Sequence, residues 1–115
     1  MSQFKLEEYP QANILYLSGQ FTGDDDTEAM RKQINEISKQ TNENLIIDMS
    51  GVSFFNSTAI GVIVSCHAHY IKTNGKLCIC NASQAIENIF DITRVSQVIN
   101  LYPTTEEALK KIAEH

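Results

Sequence analysis

The sequence of 115 residues lacks any apolar run long enough to cross a bilayer. Its longest apolar stretch, residues 59–64, is far shorter than the roughly 20 residues that a membrane-spanning helix needs. The first residues also lack the apolar segment of a secretory signal peptide. We therefore expect a soluble protein located in the cytoplasm, with no membrane partner.

Basic residues are scarce and scattered. The chain has 9 Lys and Arg against 14 Asp and Glu, a net charge of -5, and its basic residues form no run. Binding to the phosphates of nucleic acids requires clustered cations. The composition therefore argues against DNA or RNA as a partner.

The cysteines are too few for a disulfide framework, since three of them leave at least one thiol unpaired. Cys66, Cys78 and Cys80 lie in apolar segments, which favours buried free thiols in a reducing compartment. His67 and His69 add further metal-ligating side chains, and we expect His67 to be half-buried and His69 to be exposed. The spacing matches no standard zinc pattern, so we predict no metal site.

Motifs for catalysis are missing as well. The chain has only five glycines and contains neither G-x-G-x-x-G nor G-x-x-x-x-G-K, so we expect no nucleotide cofactor. No histidine can be joined to a nucleophile from the sequence, and no pair of carboxylates indicates acid–base chemistry. Asp48 and Asp91 are expected at the ends of elements, in ordinary hydrogen bonds. We predict a binding module without catalytic residues, not an enzyme.

Hydrophobic periodicity predicts one domain over residues 1–115 with the element order ββαβαβαβα. The predicted strands are residues 4–8, 13–18, 45–48, 76–81 and 98–101. The predicted helices are residues 27–40, 57–71, 82–93 and 104–114. Short connections between alternating strands and helices favour an α/β fold, with a mixed, mainly parallel sheet that begins with an antiparallel hairpin.

One segment combines a buried strand that ends at Asp48, a hydrophobic connection over residues 51–55, and the hydroxyl-rich turn Asn56-Ser57-Thr58 that opens a helix. This combination resembles the signature of STAS domains. The likeness extends over nearly the whole chain, through the element order, the Asn74-Gly75-Lys76 turn and residues 86–93. It implies the STAS fold, and within that family the chain resembles the bacterial anti-sigma factor antagonists.

The resemblance to these antagonists implies a phosphorylation switch at Thr58, with Ser57 as the second choice. The unmodified domain would sequester an anti-sigma factor serine/threonine kinase and so free a sigma factor for transcription. Phosphorylation would release the kinase, and a metal-dependent protein phosphatase would reverse the modification. Antagonists usually carry Asp where this chain has Asn56, which keeps the geometry of a helix cap but lacks the charge.

The predicted partner-binding surface is centred on the same turn, with the acidic run and the hydrophobic connection nearby. Its residues are Asn56, Ser57, Thr58, Asp24, Asp25, Asp26, Phe54 and Phe55. The acidic run also fits helix-dipole and capping chemistry, and the two roles can coexist.

Because glycine costs a helix about 1 kcal/mol relative to alanine, the presence of Gly61 in the second predicted helix indicates close packing against a neighbouring element.

Two other functions remain open from the sequence. One is a STAS subunit that docks constitutively, without phosphorylation, in a transport or lipid-trafficking assembly. The other is a small-ligand binder at the edge of the sheet.

Overall fold

Strands and helices alternate along the computed structural model, which describes residues 3–39 and 43–114. The strands are β1 (Gln3–Glu8), β2 (Asn13–Phe21), β3 (Asn44–Phe55), β4 (Lys76–Cys80) and β5 (Leu101–Tyr102). The helices are α1 (Asp24–Ser38), α2 (Ser57–Lys72), α3 (Gln84–Ile92) and α4 (Thr105–Ile112), with a 3-10 turn at Val95–Gln97.

The strands form one sheet in sequence order, β1-β2-β3-β4-β5. β1 is antiparallel to β2, and every later pair is parallel. The predicted α/β fold, with a mixed sheet, an N-terminal hairpin and four helices in the described residues, is confirmed.

The two faces of the sheet carry two separate apolar clusters, because side chains alternate along each strand. Leu15 and Leu17 of β2 join the larger cluster, which also holds residues of α1, α2 and α3. Ile14 joins the smaller cluster beneath α4. Cys66, Cys78 and Cys80 are all buried and free, as predicted.

β3 is much longer than predicted. Residues 51–55, expected as a connection, form its second half and pair with the end of β2. The close approach requires Gly51, because a Cβ there would lie 2.7 Å from the Cβ of Ser18. Asp48 therefore lies inside a strand and not at its end, and that prediction is wrong.

Other boundaries shift for local reasons. α1 begins at Asp24, so the acidic run forms its first turn, and its predicted end at Gln40 lies outside the described residues. α3 begins at Gln84 because the Ser83 hydroxyl accepts a hydrogen bond from the backbone N–H of Ile86. The last strand is displaced to Leu101–Tyr102, since residues 95–97 form the 3-10 turn.

Gly61 is exposed, and nothing lies within 4 Å of the position that its Cβ would take. The expected close packing at Gly61 is therefore wrong. The buried face of α2 carries Ile60 and Ile63 instead, and Gly61 lies on the opposite side.

None of the described helices is long and apolar enough to span a membrane.

Candidate functional site

The start of α2 is fixed by Asn56, its N-cap residue. The Asn56 Oδ1 accepts a hydrogen bond from the backbone N–H of Ala59 at 2.9 Å, and its Nδ2 donates to the carbonyl oxygen of Thr22 at 2.9 Å. The Asn56 N–H also donates to the carbonyl oxygen of Phe21 at 3.0 Å. One residue therefore caps α2 and joins it to the end of β2.

Ser57 and Thr58, the first two residues of α2, are exposed. Neither hydroxyl has a hydrogen-bond partner within the described part of the chain. The first turn of α2 contains no acidic residue. Because a helix N-terminus presents free N–H groups and a positive dipole end, this turn suits an anion such as a phosphate group.

α1 begins at the same edge of the sheet as α2, because β2 and β3 end side by side at Phe21 and Phe55. Asp24, Asp25 and Asp26 form the first turn of α1, where negative charge stabilises the helix dipole. Asp24 and Asp25 are exposed, and Asp26 is half-buried. The structure therefore brings the acidic run to the edge that carries Thr58.

The two phenylalanines of the predicted surface point in opposite directions. Phe54 is 45% exposed, whereas Phe55 is 1% exposed. The Phe55 ring lies 5.4 Å from that of Phe21 and 6.2 Å from that of Phe90, centroid to centroid. A partner cannot contact a side chain so placed in the core, so Phe55 is excluded from the candidate interface and Phe54 remains.

Asp48 forms a second polar cluster that the sequence did not reveal. Its side chain belongs to a residue only 2% exposed. Its Oδ1 accepts a hydrogen bond from the Ser50 N–H at 2.9 Å, while its Oδ2 accepts from Asn81 Nδ2 at 2.9 Å and Thr105 Oγ1 at 3.0 Å. Burial raises the pKa of the Asp48 carboxyl, but these hydrogen bonds outweigh burial and the net pKa is lowered.

The Asp48 cluster connects β3 to the residue after β4 and to the first residue of α4. Asp48 is therefore an ionised carboxylate with a structural role. The predicted hydrogen bonding of Asp48 is confirmed. No local pattern could have revealed the cluster, because Asn81 and Thr105 lie 33 and 57 residues further along the chain.

The histidines and cysteines that could ligate a metal lie on two elements, α2 and β4. His67 is half-buried and His69 exposed, as predicted. Burial raises the pKa of the Cys78 and Cys80 thiols to about 12, so both are protonated at neutral pH. Residues 3–39 and 43–114 contain no group of three or more His, Cys, Asp or Glu side chains placed to hold a metal ion.

Comparisons with known proteins agree on one family. The STAS domain model matches residues 3–108. A curated relative, the anti-sigma F factor antagonist of Paenibacillus polymyxa, is 22% identical over 112 residues, covering 96% of this chain and 94% of that protein.

Solved structures share the fold. An anti-sigma factor antagonist from Mycobacterium paratuberculosis superposes with a TM-score of 0.89 at 19% identity, over 99% of this chain and 96% of that one. The Bacillus cell fate determinant SpoIIAA, solved in its phosphorylated form, superposes with a TM-score of 0.73 at 20% identity, over 96% of this chain and 99% of that one.

Proposed function

This chain belongs to the STAS domain family, and we propose from that premise that it is an anti-sigma factor antagonist. In this proposal the unmodified domain sequesters an anti-sigma factor serine/threonine kinase and so frees a sigma factor for transcription. Phosphorylation of Thr58 ends the binding, and a metal-dependent protein phosphatase restores it. The chain contributes binding, the chemistry belongs to its partners, and all of them act in the cytoplasm.

The observation that carries the proposal is the exposed Thr58 hydroxyl at the capped start of α2. Phosphorylation adds about -1.5 to -2 charges at neutral pH. A helix N-terminus stabilises an anion by about 0.3 to 1 kcal/mol, so the domain itself tolerates the group. A partner seated on this turn would have to desolvate the new charge, and its affinity would fall.

The surroundings of Thr58 define the kind of partner surface that fits. Phe54, 45% exposed, offers an apolar contact, and Asp24 and Asp25 offer exposed negative charge at the same edge. A complementary surface would present an apolar patch to Phe54 and basic side chains to Asp24 and Asp25, with no cation facing Thr58. Asn56 contributes through the turn that it caps.

Constitutive docking as a subunit of a transport or lipid-trafficking assembly is the second candidate. The observation that favours it is Asn56, which caps α2 without the negative charge of the usual Asp. In that case Thr58 would stay unmodified while the same surface holds its partner.

Phosphorylation and binding can be tested in one experiment with a purified anti-sigma factor serine/threonine kinase from the organism that carries this protein. Incubation with kinase and ATP should place one phosphate on Thr58, mapped by mass spectrometry. Calorimetric titration should then show binding at least about a hundredfold weaker for the phosphorylated chain. Thr58→Ala is the control that should bind the kinase and refuse the phosphate.

Equal affinity of the two forms would reject the switch. Modification of Ser57 or Ser53 in place of Thr58 would reject the assigned site. Absence of modification, together with co-purification of transport subunits, would establish the second candidate instead.

A further inference from the structure

A pocket of about 180 Å³ lies between α2 and α4 at the outer edge of β4, remote from the segment that links β3 to α2. A space of this size suits a small molecule rather than a protein. The walls used in the following argument come from His67, Ile71, Leu77, Cys78, Lys111 and Ile112.

The short last strand leaves this pocket open. β5 pairs only with Ile79 and Cys80, so the earlier part of β4 has no neighbouring strand on its outer edge in the described residues. The Ile79 N–H donates to the carbonyl oxygen of Asn100. Because backbone groups alternate between the two edges of a strand, the Leu77 N–H is directed to the same side, toward the pocket.

The floor of the pocket is apolar. Leu77 and Cys78 are each 3% exposed, and Ile112 is 4% exposed. Ile71 lies at the rim and is 56% exposed, a large aliphatic side chain left in contact with water. A ligand with an aliphatic part would cover Ile71 and gain from the removal of that surface from water.

The charges around the pocket have one sign. Within residues 3–39 and 43–114 no acidic residue lines it, although the chain has 14 Asp and Glu against 9 Lys and Arg, whereas Lys76 and Lys111 do. The Lys76 ammonium donates to the carbonyl oxygens of Ile112 and Glu114, which holds it beside the pocket. The Glu114 carboxylate lies 3.9 Å from Lys111; both side chains are exposed, so water and salt weaken this ion pair and a ligand carboxylate can compete for Lys111.

We propose that this pocket binds a small amphipathic carboxylate, a short aliphatic acid. The carboxylate would lie near Lys76, Lys111 and the Leu77 N–H, and the aliphatic chain would pack against Ile71 and Ile112. The volume equals that of roughly six water molecules at about 30 Å³ each, which fits a ligand on the order of six to eight non-hydrogen atoms. This site does not depend on the function proposed for α2.

The test is an NMR titration of the isotope-labelled chain with hexanoate, with hexan-1-ol and acetate as matched probes. Hexanoate should give saturable shifts of the Leu77, Cys78 and Asn100 amide signals. The alcohol lacks the charge and acetate lacks the chain, so each should bind at least about tenfold more weakly. Equal binding of hexanol, or hexanoate shifts that do not saturate or that map elsewhere, would overturn the proposal.

Two neighbouring lysines of α4 provide the matched variants. Lys111→Gln should weaken hexanoate binding about threefold or more, since it removes an exposed charge that faces the ligand. Lys110→Gln, one residue away and outside the pocket, should leave the affinity unchanged. The same spectra report whether each variant is folded, and equal losses in the two variants would reject the assigned carboxylate position.

Discussion

The polar cluster around Asp48 and the polar turn at the start of α2 differ in what satisfies their hydrogen bonds. Asp48 is 2% exposed and accepts four hydrogen bonds from within the domain, three from nitrogen or oxygen donors and a longer one from the Cys80 thiol at 3.7 Å. Ser57 and Thr58 are exposed, and water is available to their hydroxyls. The first cluster is complete without a partner, whereas the second is open to one.

The difference has an energetic consequence. A buried carboxylate costs several kcal/mol unless its hydrogen bonds are made, so each donor on Asp48 matters for folding. An exposed hydroxyl exchanges one hydrogen-bond partner for another at little cost. Changes at Asp48 should therefore act on stability, and changes at Thr58 should act on binding.

Asp48→Ala should have the largest effect, a loss of about 3 kcal/mol in the free energy of unfolding. It removes the common acceptor of the Ser50 N–H, Asn81 and Thr105. Urea denaturation followed by circular dichroism measures the loss. Asp91→Ala is the control, because Asp91 is exposed on α3 and should change stability by less than about 0.5 kcal/mol. Equal losses in the two variants would show that the Asp48 cluster stabilises the fold no more than an exposed carboxylate does.

Thr58→Glu should weaken partner binding and leave stability nearly unchanged, the opposite of the change at Asp48. Binding to the anti-sigma factor kinase should fall by about a hundredfold, or about 2.8 kcal/mol, while the melting temperature stays close to that of the unmodified protein. Thr58→Gln has the same size without the charge and should bind far better than Thr58→Glu. If calorimetry finds both variants equally weak, the charge is not what controls the interface.

Asn56→Ala should lower stability, unlike changes at Ser57 or Thr58, because Asn56 is the residue that caps α2. The variant removes the acceptor for the Ala59 N–H and the donor to the Thr22 carbonyl, at a cost of about 1 to 2 kcal/mol. Asn56→Asp keeps the acceptor and adds a charge that the helix dipole favours, so thermal unfolding should place it between the alanine variant and the parent. A stable alanine variant would contradict the cap.

The fold could be predicted from the sequence because its elements follow local patterns. The continuous apolar run at residues 45–47 and the spacing of apolar residues in α2 are local patterns, which near neighbours in the sequence define. The second half of β3 could not, because it is a strand only through its pairing with β2, some thirty residues earlier in the chain. That pairing also decides that Phe54 is exposed and Phe55 is buried, since adjacent residues of a strand point to opposite faces.

The candidate site divides in the same way. Asn56 as a helix cap follows from local chemistry, and the placement of Thr58 at the start of α2 follows from the same turn. The Asp48 cluster is assembled from three distant segments, and no spacing rule connects them. Exposure of Gly61 was equally hidden, because a helical glycine is compatible with close packing and with open solvent alike.

Lowering the pH should reduce stability by a smaller amount than these substitutions do. The pKa of Asp48 is lowered in the folded chain, so its stabilising contribution is fully present above the ordinary pKa of an aspartate and is lost as the pH falls through the folded value. Urea denaturation from about pH 7 to about pH 3 should show this loss in the parent protein. Asp48→Asn should show a shallower decline, and identical slopes would contradict the assignment of an ionised Asp48.

Gly61→Ala should have the smallest effect on stability, and it should raise stability where the other changes lower it. Nothing lies within 4 Å of the new Cβ, and alanine is favoured over glycine in a helix by about 1 kcal/mol, so the variant should be more stable. A gain of that size raises the melting temperature of a domain of this length by about 4 °C. Ser65→Ala, exposed one turn later on α2, is the control and should gain less. A lower melting temperature for Gly61→Ala would mean that a neighbour approaches this position after all. If the variant gains stability and loses affinity for the kinase, the exposed backbone at Gly61 belongs to the interface that begins at Thr58.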